Sequence, residues 1–267
     1  MTAAFTPAQR AALRELADLW PSRPFVLVGA SAIECQRPMR RATADLDLTV
    51  AASMEEFPAG LDRLPGWRRH PLREHEWTGP GRVQIDIIPA DNELLSRGSI
   101  EWPGGHRMNL TGLGHAFAHF IDVAVDDAVT VKVATLPVIA LLKMVAYLDR
   151  PVERRHDLED LAFLIEEVTA VDDERLWSAP VIEAQLPFEI AGAFVLGVDI
   201  GAFAGEADLA IVNEFATWAH ANRFATTSEM ARVAPPGWRK DEDGALARVE
   251  ALAAGVRSSR GARMDEF

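Results

Sequence analysis

The chain has 267 residues, 49% of them hydrophobic, and a mean hydropathy of +0.01, the balance of an ordinary globular protein. No apolar run approaches the roughly 20 residues that span a bilayer, and one cysteine, Cys35, excludes an internal disulfide framework or a multi-cysteine metal site. The 27 lysines and arginines are outnumbered by 40 carboxylates, and a net charge of −13 argues against a protein that lives on nucleic acid by bulk electrostatics.

The N-terminus lacks a basic start followed by a long apolar core, so it does not read as a signal peptide, and a cytoplasmic protein is expected. Residues 6–20 have helical periodicity and stop at Pro21. "PFVLVGA" reads as a short strand closed by Gly29, and "SAIECQ" opens a helix with Ser31 near its N-terminus. "ADLDLTV" is the next strand, residues 53–64 a helix, "VQIDIIPA" a strand with Asp86 at its middle, and "AVTVKVATL" a further strand. Strands and helices mix through this half, which predicts a sheet covered by helices. After residue 135 the pattern turns helical. "TLPVIALLKMVAYLDR" has Pro137 near a helix start. "HDLEDLAFLIEEV" puts its acidic end first, as the helix dipole favours. "PFEIAGAFVLGVDIGAFAG" and "EADLAIVNEFATWAHA" continue the helices, "RVAPPGWRKDEDG" is a loop, and a last helix precedes a polar tail. The fold class expected is α+β: a mixed sheet flanked by helices over residues 1–134, then a mainly helical domain over 135–267.

Asp45 and Asp47 sit one residue apart in an otherwise apolar strand, and alternation points both side chains the same way. Two carboxylates that close repel, so a cation between them, or a solvent-open face, is required. Upstream, Gly29 permits close backbone approach, and helix N-terminal amides with the Ser31 hydroxyl suit a phosphate. Downstream, Asp86 adds a third carboxylate. Three carboxylates from neighbouring strands can hold two Mg²⁺ ions, and such ions can bridge a nucleoside triphosphate. Arginines gather in "QRPMRR" and "LDRLPGWRRHPLREH", either as a solvated surface or as a phosphate-facing patch beside the aspartates.

The run "VGASA…RRATADLDL…QIDIIPA" resembles the polymerase β-like nucleotidyltransferase superfamily. "LPVIALLKMVAYLDRPVERRHDLEDLAFLI" is similar to the AbiEii-type nucleotidyltransferases, which include type IV toxin–antitoxin toxins and MenT toxins. The resemblance covers roughly residues 24–168, with Gly29-Ala30-Ser31 standing where many members have Gly-Gly or Gly-Ser. It implies a nucleotidyltransferase core over 1–134, with the helical part contributing Lys143 and Asp157. It assigns Asp45, Asp47 and Asp86 to the metal, and Asp86 alternatively to base catalysis. Gly29, Ala30, Ser31, Arg41 and Thr43 go to the nucleotide or its turn, Lys143 to the triphosphate, and Asp157 to orienting that lysine. The implied reaction moves an NMP from an NTP to an acceptor hydroxyl. The acceptor implied is RNA, the 3′ end of tRNA in particular, and a cognate antitoxin is the implied partner.

Plainer readings stand beside these. Asp86 can pair with Arg82, Lys143 can snorkel to solvent, and Asp160 can cap a helix or form a structural salt bridge. Cys35 reads as a small buried residue. His115 and His119 have metal-compatible spacing but no accompanying glutamate, and "GPGR" is a turn rather than a phosphate loop. Trp67 and Trp77 pack or stack a base. A small-molecule or protein acceptor, and a non-catalytic nucleotide- or partner-binding relative, are the alternatives.

Overall fold

The computed structural model describes residues 5–37, 43–170, 174–234, 238 and 241–264. Arg41, an expected nucleotide ligand, lies outside the described residues. The chain forms two compact units, residues 1–139 and 140–267. The α+β expectation holds: a mixed seven-stranded sheet with flanking helices, and a helical C-terminal region.

The first unit opens with helix α1 (Pro7–Leu19). Its start is a reciprocal cap: Gln9 N–H donates to the Thr6 hydroxyl and Thr6 N–H donates to the Gln9 side chain. Strand β1 (Phe25–Val28) is buried throughout and runs directly into α2 (Gly29–Gln36). Next come β2 (Leu46–Val50), α3 (Glu56–Leu61), β3 (Arg68–Arg69), β4 (Glu76–Thr78) and β5 (Gln84–Pro89). After α4 (Asn92–Arg97), the strands β6 (Ser99–Glu101) and β7 (Arg107–Asn109) form a separate hairpin. Strands β8 (Phe120–Ala124) and β9 (Thr130–Ala134) complete the main sheet, whose order is β3-β4-β5-β2-β1-β9-β8. The β2–β5 and β1–β9 pairs are parallel and the rest antiparallel.

Two boundaries differ from expectation. Asp45 lies at a bend just before β2, so only Asp47 is inside the strand. The helix expected over 53–64 is the shorter α3, which starts after Ser53 and Glu56 exchange side-chain-to-backbone bonds. Strands β3, β4, β6, β7 and β8 go beyond the strands expected from the sequence. Four of these have two or three residues, too few for a period of two to show, and the five-residue β8 buries only Val123, so it carries no apolar alternation.

Helix α5 (Leu136–Asp149) follows β9, and α6 (Arg155–Ala170) follows it. The second unit continues with α7 (Ala179–Glu183), α8 (Phe188–Gly201), α9 (Glu206–Ala221), α10 (Thr227–Val233) and α11 (Glu242–Met264). Helices α8 and α11 cross closely through glycines: a β-carbon on Gly197 would run into the Leu252 carbonyl, and one on Gly255 into the Phe194 carbonyl. No helix among the described residues is long and apolar enough to cross a membrane.

Candidate active site

The register across the sheet brings the acidic residues into one row. Val28 of β1 is opposite Asp47 of β2, Asp47 is opposite Asp86 of β5, and Asp86 is opposite Glu76 of β4. Paired residues share a face, so the three carboxylates lie side by side at the strand spacing of about 4.8 Å. Burial alternates accordingly. Leu46, Leu48, Ile85 and Ile87 are fully buried on the other face, while Asp45, Asp47 and Asp86 are half-buried. Thr49, buried on β2, donates to the Ile88 carbonyl at 3.1 Å and stitches β2 to β5.

Gly29 closes the row. Its φ of +67° is left-handed, and a β-carbon there would fall on the Asp47 carboxyl group. The glycine is needed because this strand-to-helix turn lies against an aspartate. Ala30 and Ser31 are buried in the first turn of α2, and the Ser31 hydroxyl donates to the Val28 carbonyl at 3.4 Å. Half-buried Thr43 directs its hydroxyl to the Asp45 carbonyl at 3.4 Å, so it braces the chain entering β2. The Gln9 side chain of α1 adds a second brace, donating to the Ala44 carbonyl at 3.4 Å.

Glu76 is a member of the row that the sequence reading misses. It is buried, and Arg73 grips its carboxylate with two nitrogens, at 2.9 Å and 3.2 Å. A signal exists in the chain: Glu76 and Asp86 stand equally far along it from Gly81, which with Arg82 is left-handed in the turn between their strands. Arg82, considered as a partner for Asp86, stands exposed on that same turn.

The second unit carries its own charged cluster. Lys143 of α5 has its Nζ 2.7 Å from Asp157 Oδ1 and 2.7 Å from Asp160 Oδ2, both on α6. Arg154 Nε meets the other oxygen of Asp157 at 2.8 Å. Lys143 therefore does not snorkel, since its side chain is 9% exposed, and Asp160, 0% exposed, forms a buried ion pair rather than a cap. Helical spacing puts Asp157 and Asp160 on one face of α6, so both reach one ammonium.

For the tryptophans the packing alternative holds. Trp77 is fully buried and Trp67 nearly so, with its indole N–H held by Glu15, which leaves neither face for a base. Cys35, read from the sequence as a buried residue, is half-buried, and its partial desolvation pushes the thiol up to about 12. No group of three or more His, Cys, Asp or Glu side chains among the described residues is gathered as a ready-made metal centre. The aspartate pair nonetheless fits a Mg²⁺ ion, which takes one or two carboxylates plus substrate phosphates and water rather than a closed protein cage.

The first unit thus carries acidic residues in register on one face of a mixed sheet, beside a glycine turn. The family model described as "Nucleotidyl transferase AbiEii toxin, Type IV TA system" matches residues 11–189. The match spans more than half of the chain, and the protein belongs to this family of nucleotidyl transferases. No curated protein matches the chain.

Proposed function

We propose that the protein is a Mg²⁺-dependent nucleotidyltransferase that moves an NMP from an NTP to a hydroxyl of RNA, the 3′ end of tRNA, as a toxin with a cognate antitoxin. The observation that carries this reading is the Asp47–Asp86 register pair against Gly29, inside the family match. Bound Mg²⁺ would supply charge neutralisation at the phosphates. Asp45, Asp47 and Asp86 are the oxygen donors proposed to hold it. Asp86 is also proposed to accept the proton of the acceptor hydroxyl. The freed oxygen then bonds to the α-phosphorus as the bond from that phosphorus to the β-phosphate oxygen breaks, and pyrophosphate leaves. The turn at Gly29, Ala30 and Ser31, with Arg41 and Thr43, is assigned to the triphosphate. On the family pattern alone, Lys143 with its holder Asp157 takes triphosphate charge.

The test is transfer of label from each α-³²P-NTP to total tRNA, to a protein extract, or to neither. Label on tRNA with one NTP, lost in Asp45→Ala/Asp47→Ala, is the expected result. The net charge of −13 favours a second reading, a protein or small-molecule acceptor, and label on protein would establish that instead.

A further inference from the structure

We propose that the β3 edge of the sheet is the track for the phosphate backbone of the acceptor RNA, an inference that rests on the transferase reading above and names how it selects its acceptor. The arginine-rich run "LDRLPGWRRHPLREH" forms the end of the sheet, two strands from Asp86. Both β3 residues, Arg68 and Arg69, are exposed, and so is Arg73, whose side chain is 56% exposed. Asp62, at the start of the run, is exposed, but the two acids nearest β3 in sequence beyond it, Glu74 and Glu76, are turned inward. Glu76 lies under Arg73 with a side chain 9% exposed, and Glu74, 14% exposed, accepts the Gly104 N–H. In a chain with an excess of carboxylates, this edge presents positive charge outward.

Register decides which face that charge serves. Arg68 is opposite Thr78, two residues from Glu76, and therefore shares the face of Glu76, Asp86 and Asp47. His70 donates its backbone N–H to the Glu76 carbonyl, extending the acidic row by one position. From Asp86 to this edge is two strand spacings, about 10 Å. A hydroxyl at Asp86 thus leaves the next phosphates of its own strand above Arg68 and Arg73. The Glu76 carboxylate occupies two nitrogens of Arg73 and fixes its plane, leaving other N–H donors for phosphate oxygens. A small acceptor would gain nothing from cations that distant, whereas a polyanion would. Charged side chains on an edge strand also prevent pairing with a second copy. Glutamate substitutions preserve that protection and reverse the attraction, so they separate the two roles.

The experiment is fluorescence anisotropy of a 5′-labelled single-stranded RNA over a series of salt concentrations, with calorimetry of Mg²⁺-NTP binding alongside. Wild type, Arg68→Glu on the acidic face, and Arg69→Glu, opposite Trp77 on the other face and so a control, are compared after matched thermal melts, and the effect is expected of Arg68→Glu and not of Arg69→Glu. The expected result is weaker RNA binding and a log–log salt slope shallower by about 0.7 for each phosphate that is no longer neutralised, with Mg²⁺-NTP affinity unchanged. An unchanged slope and affinity in Arg68→Glu overturns the track, as does binding to phosphatidylserine vesicles but not to RNA. If RNA binds in the arginine-dependent way while no NTP binds and no label moves, the track stands and the transferase reading falls.

Discussion

The Asp47 carboxyl group stands in the space that a side chain on Gly29 would need. The turn after β1 is left-handed at Gly29, so that the backbone can pass the aspartate of the adjacent strand. Gly29→Ala should therefore lower stability, by about 1–2 kcal/mol from the left-handed backbone alone, with the collision adding more. Adding Asp47→Ala removes the collision but not the backbone cost. Urea unfolding of the two single variants and the double variant should show a double-variant loss smaller than the sum of the singles. Additive losses would mean that the close approach has no energetic weight.

Lys143, Asp157 and Asp160 form a buried cluster in which two carboxylates share one ammonium. Removing the cation leaves those carboxylates in a dry site, so Lys143→Met should cost about 3–5 kcal/mol in urea unfolding. Lys143→Met/Asp160→Leu should recover a large part of it, because Arg154 still serves Asp157. If Lys143→Met unfolds like the wild type, the cluster has no structural role.

Cys35 should resist alkylation in the folded protein. Burial is the first cause of its raised pKa, about 12 against an ordinary 9.0, and Glu34 nearby adds to it. At pH 8 its thiolate is on the order of a thousandfold scarcer than that of a free thiol, and the thiolate is the reactive form. Mass spectrometry after iodoacetamide treatment should find Cys35 unmodified in buffer and fully modified in urea. Rapid modification of the folded chain would contradict the raised pKa of this half-buried thiol.

Glu56 titrates low, at about 2 against an ordinary 4.5, first because Arg23 donates to its carboxylate, at 2.5 Å and 2.7 Å, and then because Ser53 N–H does. A depressed carboxylate contributes stability that is complete above about pH 4.5 and is lost as pH falls through about 2. Glu56→Gln should consequently show a shallower loss of urea midpoint between those values than the wild type. The difference should shrink in high salt, because both side chains face water. Identical acid profiles would show that the pair does not form in solution.

Which parts of this arrangement are legible in the sequence follows from the range of the forces involved. The strand–glycine–helix run, the acidic positions and the change to helices near residue 135 are set by neighbours a few residues apart, through backbone preference and apolar period. Amphipathic α1, capped by Thr6 and Gln9, belongs to the same class. Asp157 and Asp160 at helical spacing are readable as one face, but not that both close on one lysine.

By itself, the sequence determined an α+β chain of this family, with its carboxylates and its glycine turn in order, because those are local properties of the polymer. Only the tertiary structure decided that Asp47, Asp86 and Glu76 fall in one row, that Trp77 is sealed inside, and that Arg68 and Arg73 end the same face. Strand order and register come from which apolar faces can be buried together across distant segments. A slip of one residue between β2 and β5 would turn Asp86 inward and Ile85 and Ile87 to the open face.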